Sequence, residues 1–237
     1  MKVVILAGGR GTRLGDTTKK IPKPMIKLFR IPLLVHIINI YKRQGFKEFV
    51  ILTGYKSKYI AEYFLNTYSE KNISVKCVFT GINTLTGSRI FKIQKQIKDN
   101  NFLLTYGDGL SNVNIKKVIN FHKKNNSIIT LTAVRPPARF GELYINKNKV
   151  SKFKEKYKMQ SGWINGGFIV VNEKFFKMIP KKNVMLEREP ISKAVKTQKV
   201  FAYKHEGFWR CIDNVRDLEQ LKNEYNKTKN YPWLNFK

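Results

Sequence analysis

The chain has 237 residues, with 46 Lys+Arg against 16 Asp+Glu, a formal net charge of +30. Hydrophobic residues at 42% and aromatics at 13% are ordinary for a packed domain, which excludes a disordered basic tail. No run approaches ~18 consecutive apolar residues, which excludes a helical membrane span, and two cysteines make neither a disulfide framework nor a metal cluster.

The first element is Val3-Val4-Ile5-Leu6, a continuous apolar run of the kind found in strands buried on both faces. Met1 leads into it without a basic n-region, so no secretory leader is expected, and free thiols then fit a reducing cytoplasm. The strand enters Gly8-Gly9-Arg10-Gly11-Thr12-Arg13, read as a loop that opens a helix. Ile21-Pro22-Lys23-Pro24-Met25 is extended, because each proline restricts the residue before it. Residues 33–44 have helical periodicity and close at Gly45. Strands follow at 48–53 and 75–79, with a helix at 58–68 between them. Residues 88–98 read as a helix and 101–105 as a strand running into Tyr106-Gly107-Asp108-Gly109. A helix at 115–124 and a strand at 128–134 complete an alternation that predicts βαβ units on a mostly parallel sheet. Beyond 135 the pattern turns to short strands with Asn-Lys turns over 139–155, then a strand at 167–171. A helix at 189–197, a strand at 200–204 and a polar closing helix over 217–229 follow. With no long linker and no repeat, the expectation is a single α/β domain over 1–237, a mixed, mostly parallel sheet flanked by helices. Its halves are 1–135 and a β-rich 136–237.

Three groups of residues have the chemistry of a site. Glycines after a buried strand let backbone N–H groups approach a phosphate, although the same loop also reads as a tight βα turn. It is not a Walker A loop, because no Gly-Lys-Ser/Thr follows, and its spacing misses the dinucleotide fingerprint. Arg10 and Arg13, with Lys23 beyond, favour polyphosphate, since Arg forks oxyanions and Lys acts as a point charge. Asp108 is one of five aspartates and lies between glycines at the carboxyl end of a strand, where α/β sheets bind ligands. It is either a turn residue or a Mg²⁺ ligand, and Asp213, ending the stretch 207–213, is open in the same way. Ile164-Asn165-Gly166-Gly167-Phe168, with Glu155-Lys156 before it and Glu187 after, offers partners for hydroxyls and a phosphate. Alone, Asn165-Gly166 reads as a hairpin turn. His36, His122 and His205 read as structural, and neither Cys77 nor Cys211 has a nucleophile's surroundings. The charge fits compositional drift, steering of small anions, or binding to a nucleic-acid backbone.

Taken in order, the glycine loop, Pro-Lys-Pro-Met at 22–25, Tyr-Gly-Asp-Gly at 106–109, Glu155-Lys156, Ile-Asn-Gly-Gly-Phe at 164–168 and Gly-Phe-Trp…Asp at 207–213 form one motif set. This set resembles the sugar-phosphate nucleotidyltransferase superfamily over essentially the whole chain, and within it the glucose-1-phosphate cytidylyltransferase branch. The resemblance implies a Rossmann-like fold and Mg²⁺-dependent transfer of CMP from CTP to a phosphorylated small-molecule acceptor such as glucose 1-phosphate, releasing pyrophosphate. It implies Leu6, Ala7, Gly8, Gly9, Gly11, Thr12, Thr86, Gly87, Arg89, Tyr106 and Gly107 around the nucleotide. It further implies Arg13 and Lys23 as catalytic cations, Asp108 and Asp213 on Mg²⁺, and Glu155, Lys156, Asn165, Gly166 and Glu187 at the acceptor. The half 1–135 is then nucleotide-binding and 136–237 acceptor-binding.

The implied product is a CDP-activated precursor for surface glycan or capsule, made in the cytoplasm with no membrane partner. Nucleic acid is not an expected partner, and the family implies a homo-oligomer. Two departures stand out: the family's Glu-Lys-Pro is Glu155-Lys156-Tyr157 here, and the stretch between Phe79 and Leu85 is shorter than the family's. Both bear on the acceptor side or on assembly. A non-sugar phosphate, as in CTP:phosphoglutamine cytidylyltransferase, therefore stays open as the acceptor. From another class, the charge leaves open a non-catalytic basic nucleic-acid-binding domain.

Overall fold

Val3, Ile5 and Ala7 enter one hydrophobic cluster, and Val4 and Leu6 another, on opposite faces of strand β1 (Val3–Ala7). A strand buried on both faces has no polar side to alternate with, so its sequence is an unbroken apolar run. The structure, a computed structural model, describes residues 1–136, 142–154 and 162–236. Glu155 and Lys156 lie outside the described residues.

After β1 come helix α1 (Asp16–Lys20), the short strands β2 (Lys27–Leu28) and β3 (Ile31–Pro32), and helix α2 (Leu33–Lys42). Then follow β4 (Glu48–Thr53), α3 (Ser57–Asn66), β5 (Ser74–Phe79) and α4 (Thr86–Lys92). The middle of the chain gives β6 (Asn101–Tyr106), β7 (Gly109–Ser111), α5 (Ile115–Lys124), β8 (Ile129–Val134), β9 (Glu142–Asn146) and β10 (Lys149–Lys154). The last part gives β11 (Ile164–Asn165), β12 (Ile169–Asn172), α6 (Glu189–Val195), β13 (Val200–His205), β14 (Trp209–Cys211) and α7 (Val215–Thr228).

Among the described residues, eight strands share one sheet, in the lateral order β13-β8-β12-β6-β1-β4-β5, with β11 also beside β8. The ladder from β6 through β1 and β4 to β5 is parallel, as is β8 with β13. β12 runs antiparallel to both β6 and β8. The sheet is thus mixed and mostly parallel, as expected, and strands from both halves of the chain belong to it. β11 and β12 take successive stretches of the same β8 edge. The break between them is Gly166-Gly167-Phe168, where Gly167 has φ +78° and Phe168 +47°. Asn165-Gly166 is therefore not the turn of a hairpin; Asn165 is a strand residue opposite Ala133.

The glycine loop also departs from its reading. A single 3₁₀ turn over Thr12–Leu14 and the five-residue α1 follow it, separated by Gly15 at φ +57°. So short a helix supplies little dipole. The helix read over 88–98 starts earlier, at Thr86, and breaks after Lys92 into a 3₁₀ turn over Gln94–Gln96.

The histidines are structural, as expected. His36 Nε2 bonds the Leu28 carbonyl at 2.9 Å, and its ring stands edge-on to the fully buried Trp233. His122 lies between Thr130 Oγ1 at 2.9 Å and Asn101 Oδ1 at 3.2 Å, and burial pushes its pKa down to about 4. His205 Nε2 is 3.2 Å from the Phe208 carbonyl. Among the described residues, no helix is long and apolar enough to cross a membrane.

Candidate active site

Two carboxylates far apart in sequence are brought together by a short antiparallel ladder. β14 pairs β7 with Cys211 opposite Gly109, and Ile212 N–H donates to the Asp108 carbonyl at 3.0 Å. Asp213, one residue on, then reaches the same spot as Asp108. The Asn214 side chain caps α7, and Asp217 accepts from the backbone N–H groups of Asp213 and Asn214, so the residue is fixed where the strand ends.

Lys23 joins the pair. Its Nζ donates to Asp108 Oδ2 at 2.7 Å and to Asp213 Oδ1 at 3.0 Å, while Arg13 Nη1 donates to Asp213 Oδ2 at 2.6 Å. Lys23 is 12% exposed and Arg13 77%, so one cation is held inside and the other reaches in from solvent. Burial works against the Lys23 charge, but Asp108 and Asp213 overcome it and hold its pKa above the ordinary value. Burial likewise opposes the Asp213 charge, and its bonds from Lys23 and Arg13 keep the carboxyl below the usual range. Cys211 beside them is pushed by burial to about 12, so it is a thiol at neutral pH. Cys77 is pushed to about 11.

The cluster stands between two cavities. The first, of about 300 Å³, is lined by Leu6, Ala7, Gly8, Gly9, Gly11, Thr86, Arg89, Tyr106 and Gly107, nine of the residues expected around the nucleotide, together with Lys23 and Asp108. Pro24, Thr84, Leu85 and Met185 complete it. The second, of about 260 Å³, is lined by Arg13, Asp213, Asn165 and Gly166 together with Thr105, Gly109, Trp209 and Cys211. Tyr106 and Asp108 belong to both walls. Thr12 lines neither cavity and sits in the exposed 3₁₀ turn. Gly87 is buried behind the wall, its N–H on the Val184 carbonyl at 3.0 Å, where a Cβ would be 3.0 Å from that same oxygen.

The Arg89 guanidinium donates to the carbonyls of Thr53, Gly81, Gly8 and Ile82 and to Thr80 Oγ1. Both Nη atoms are spent on the protein, so Arg89, part of the cavity lining, ties three loops together. A Cβ at Gly8 would overlap the guanidinium, and one at Gly54 would lie 2.6 Å from both Nη atoms. The two glycines exist for this stack.

Glu187 links the cavities. Its Oε2 accepts from Thr86 Oγ1 at 2.8 Å and its Oε1 from Tyr106 OH at 2.7 Å. The Tyr106 hydroxyl in turn accepts from Asn165 Nδ2 at 3.3 Å. Burial, with the Glu187 charge, raises the Tyr106 pKa, so the phenol stays protonated. The Met185–Glu187 stretch arrives because Asn183 bonds Leu85 N and Asn83 O, and Leu186 N donates to Thr86 Oγ1. Nothing local in the sequence announces this long-range docking.

A Nucleotidyl transferase family model matches residues 2–228. The chain belongs to the nucleotidyl transferase family. This nucleotidyltransferase is 38% identical to the glucose-1-phosphate cytidylyltransferase of Salmonella typhimurium over 254 aligned positions, covering 98% of each chain. A Bacillus subtilis protein assigned the same activity is also 38% identical, covering 96% of this chain and 97% of its own. An alignment of 254 positions on 237 residues leaves at least 17 positions (254 − 237) where this nucleotidyltransferase has a gap. The fold is shared with a Bacillus anthracis protein assigned as a glucose-1-phosphate thymidylyltransferase and solved with sucrose. Its TM-score is 0.76 at 19% identity, with 100% of both chains covered.

Proposed function

We propose that this nucleotidyltransferase transfers CMP from CTP to the phosphate of a sugar 1-phosphate, glucose 1-phosphate being the reference acceptor, and releases pyrophosphate. The observation that carries the reading is the seam: Lys23, Asp108, Asp213 and Arg13 meet where the two cavities share a wall. The first cavity has the glycine loop suited to a nucleoside triphosphate, and the second has the Asn165 amide and Glu187 nearby suited to hydroxyls. The choice of cytosine rests on the named activity of the 38%-identical relatives.

Asp108 and Asp213 fit Mg²⁺. Both approach one ammonium, so the spot between them already stabilises a cation, and Mg²⁺ favours one or two carboxylates completed by substrate phosphates. Once bound, the ion supplies neutralisation of phosphate charge. Lys23 lines the nucleotide cavity at the shared wall, where its ammonium can turn from the carboxylates to the reacting phosphate oxygens. Arg13 adds a second cation from the solvent side. Gly8, Gly9 and Gly11 let the backbone approach the triphosphate, and Tyr106 with Glu187 holds both substrates in register. The acceptor phosphate is already an anionic nucleophile, so alignment and charge stabilisation carry the reaction without a general base.

The product is then a CDP-activated sugar for surface glycan or capsule synthesis, made in the cytoplasm where CTP is available, by an enzyme that assembles as its family does. Pyrophosphate release, assayed with CTP, UTP, GTP and ATP against a panel of sugar 1-phosphates, tests the reading. Turnover with CTP and a hexose 1-phosphate is the expected result. No turnover with any acceptor, together with no CTP binding, sinks it.

A further inference from the structure

β11 carries more than Asn165. Its register with β8 sets Asn165 opposite Ala133 and Ile164 opposite Val134, so Trp163 falls opposite Arg135, just past the end of β8. The register of β13 sets Lys204 beside Ala133. Side chains alternate along strands, so Asn165, Trp163, Arg135 and Lys204 share one face of the sheet at its carboxyl edge. Their contacts agree: Arg135 Cζ lies 4.6 Å and Lys204 Nζ 5.6 Å from the Trp163 ring centroid.

Two cations gathered on one indole repel each other, and a buried donor without a partner is costly. Among the described residues, Arg135 Nε is buried with no hydrogen-bond partner. An anion would satisfy both conditions. Among the described residues, the other cations lining the cavities are engaged: Lys23 and Arg13 on carboxylates, Arg89 on carbonyls. Asn165 lines the second cavity, and Trp163 is two strand residues, about 7 Å, further toward the edge.

Resting on the acceptor reading above, we infer that the acceptor carries a second anionic group, a carboxylate, at the end remote from its reacting phosphate. Arg135 and Lys204, gathered on Trp163, receive it. Among sugar 1-phosphates this selects a sugar acid over a neutral hexose.

Glucose 1-phosphate and glucuronic acid 1-phosphate differ only at C6, a hydroxymethyl against a carboxylate, and form the direct test. With CTP, kcat/KM for the uronic acid should exceed that for glucose 1-phosphate by at least about tenfold, about 1.4 kcal/mol. Arg135→Gln and Lys204→Gln should each bring this ratio toward unity while leaving kcat/KM for glucose 1-phosphate nearly unchanged. Equal kcat/KM for both acceptors in the unaltered enzyme, or equal losses on both in the variants, overturns the subsite. If neither is turned over, calorimetric binding of each in the presence of a non-hydrolysable CTP analogue decides. Tighter binding of the uronic acid, lost in the variants, keeps the subsite and sinks only the sugar 1-phosphate reading. Equal or absent binding overturns the subsite.

Discussion

Lys23 Nζ donates to Asp108 Oδ2 at 2.7 Å across the seam between the two cavities. An ammonium and a divalent cation cannot occupy one carboxylate pair together, so under the reading proposed above Lys23 would compete with Mg²⁺ for Asp108 and Asp213. Lys23→Met should therefore bind Mn²⁺ in the absence of nucleotide at least about tenfold more tightly than the unaltered protein, a gain of about 1.4 kcal/mol. The same variant should lose at least about a hundredfold in turnover, on the scale of removing one charge-stabilising donor. Titration of Mn²⁺ followed by electron paramagnetic resonance reads the first effect. Unchanged or weaker metal binding would contradict the competition.

Gly54 does not line the first cavity, yet a Cβ there lies 2.6 Å from both Arg89 Nη atoms. Displacing that guanidinium releases carbonyls from the glycine loop at Gly8 and from the turn at Gly81. Gly54→Ala and Arg89→Lys should share one phenotype. The expected change is a KM for CTP raised by about tenfold or more and a Tm lowered by several degrees, with KM for the acceptor little altered. A normal KM for CTP in Gly54→Ala would show that the stack does not shape the pocket.

The Tyr106 hydroxyl serves both cavities through Glu187 and Asn165. Tyr106→Phe removes it without changing the ring. A lost hydrogen bond of about 0.5–1.5 kcal/mol should appear as a rise of roughly two- to tenfold in KM for both substrates. Steady-state kinetics with each substrate varied in turn checks this. An effect confined to one substrate would break the proposed coupling.

His122 predicts the acid limb of stability. Its folded pKa of about 4 is below the ordinary 6.5, so between those values the unfolded chain binds the proton more readily. Stability contributed by keeping the ring neutral is complete above pH 6.5 and is lost as pH falls toward 4. The Tm of the unaltered protein should fall across that window. His122→Gln, which cannot titrate there, should show a flatter fall whatever its Tm at neutral pH. Thermal unfolding at half-unit steps from pH 7 to 4 gives the comparison, and parallel curves would refute it.

The sheet was legible because burial on both faces leaves an unmistakable mark, as in Val3-Val4-Ile5-Leu6 and in Asn101–Tyr106. Asp108 was legible for a related reason, being a carboxylate at the carboxyl end of such a strand. Asp213 needed the resemblance, since its meaning depends on β14 meeting β7, a pairing between segments about a hundred residues apart. Thr84, Leu85 and Met185 were missed altogether. They line the cavity through the Asn183 and Val184 docking onto the start of α4, and they carry no charge or motif of their own. Arg89 lines the cavity it was expected to line, but its bonds to five oxygens of the protein depend on loops brought together by the fold and leave no mark in the sequence.

The ladder of β7 with β14 also sets an order of events during synthesis. Asp108 leaves the ribosome 85 residues after Lys23 (108 − 23), and Asp213 follows 105 residues later still (213 − 108). A nascent chain thus carries Asp108 well before the second carboxylate exists. The two carboxylates meet only once β14 has docked on β7, so the site proposed above is completed late in synthesis.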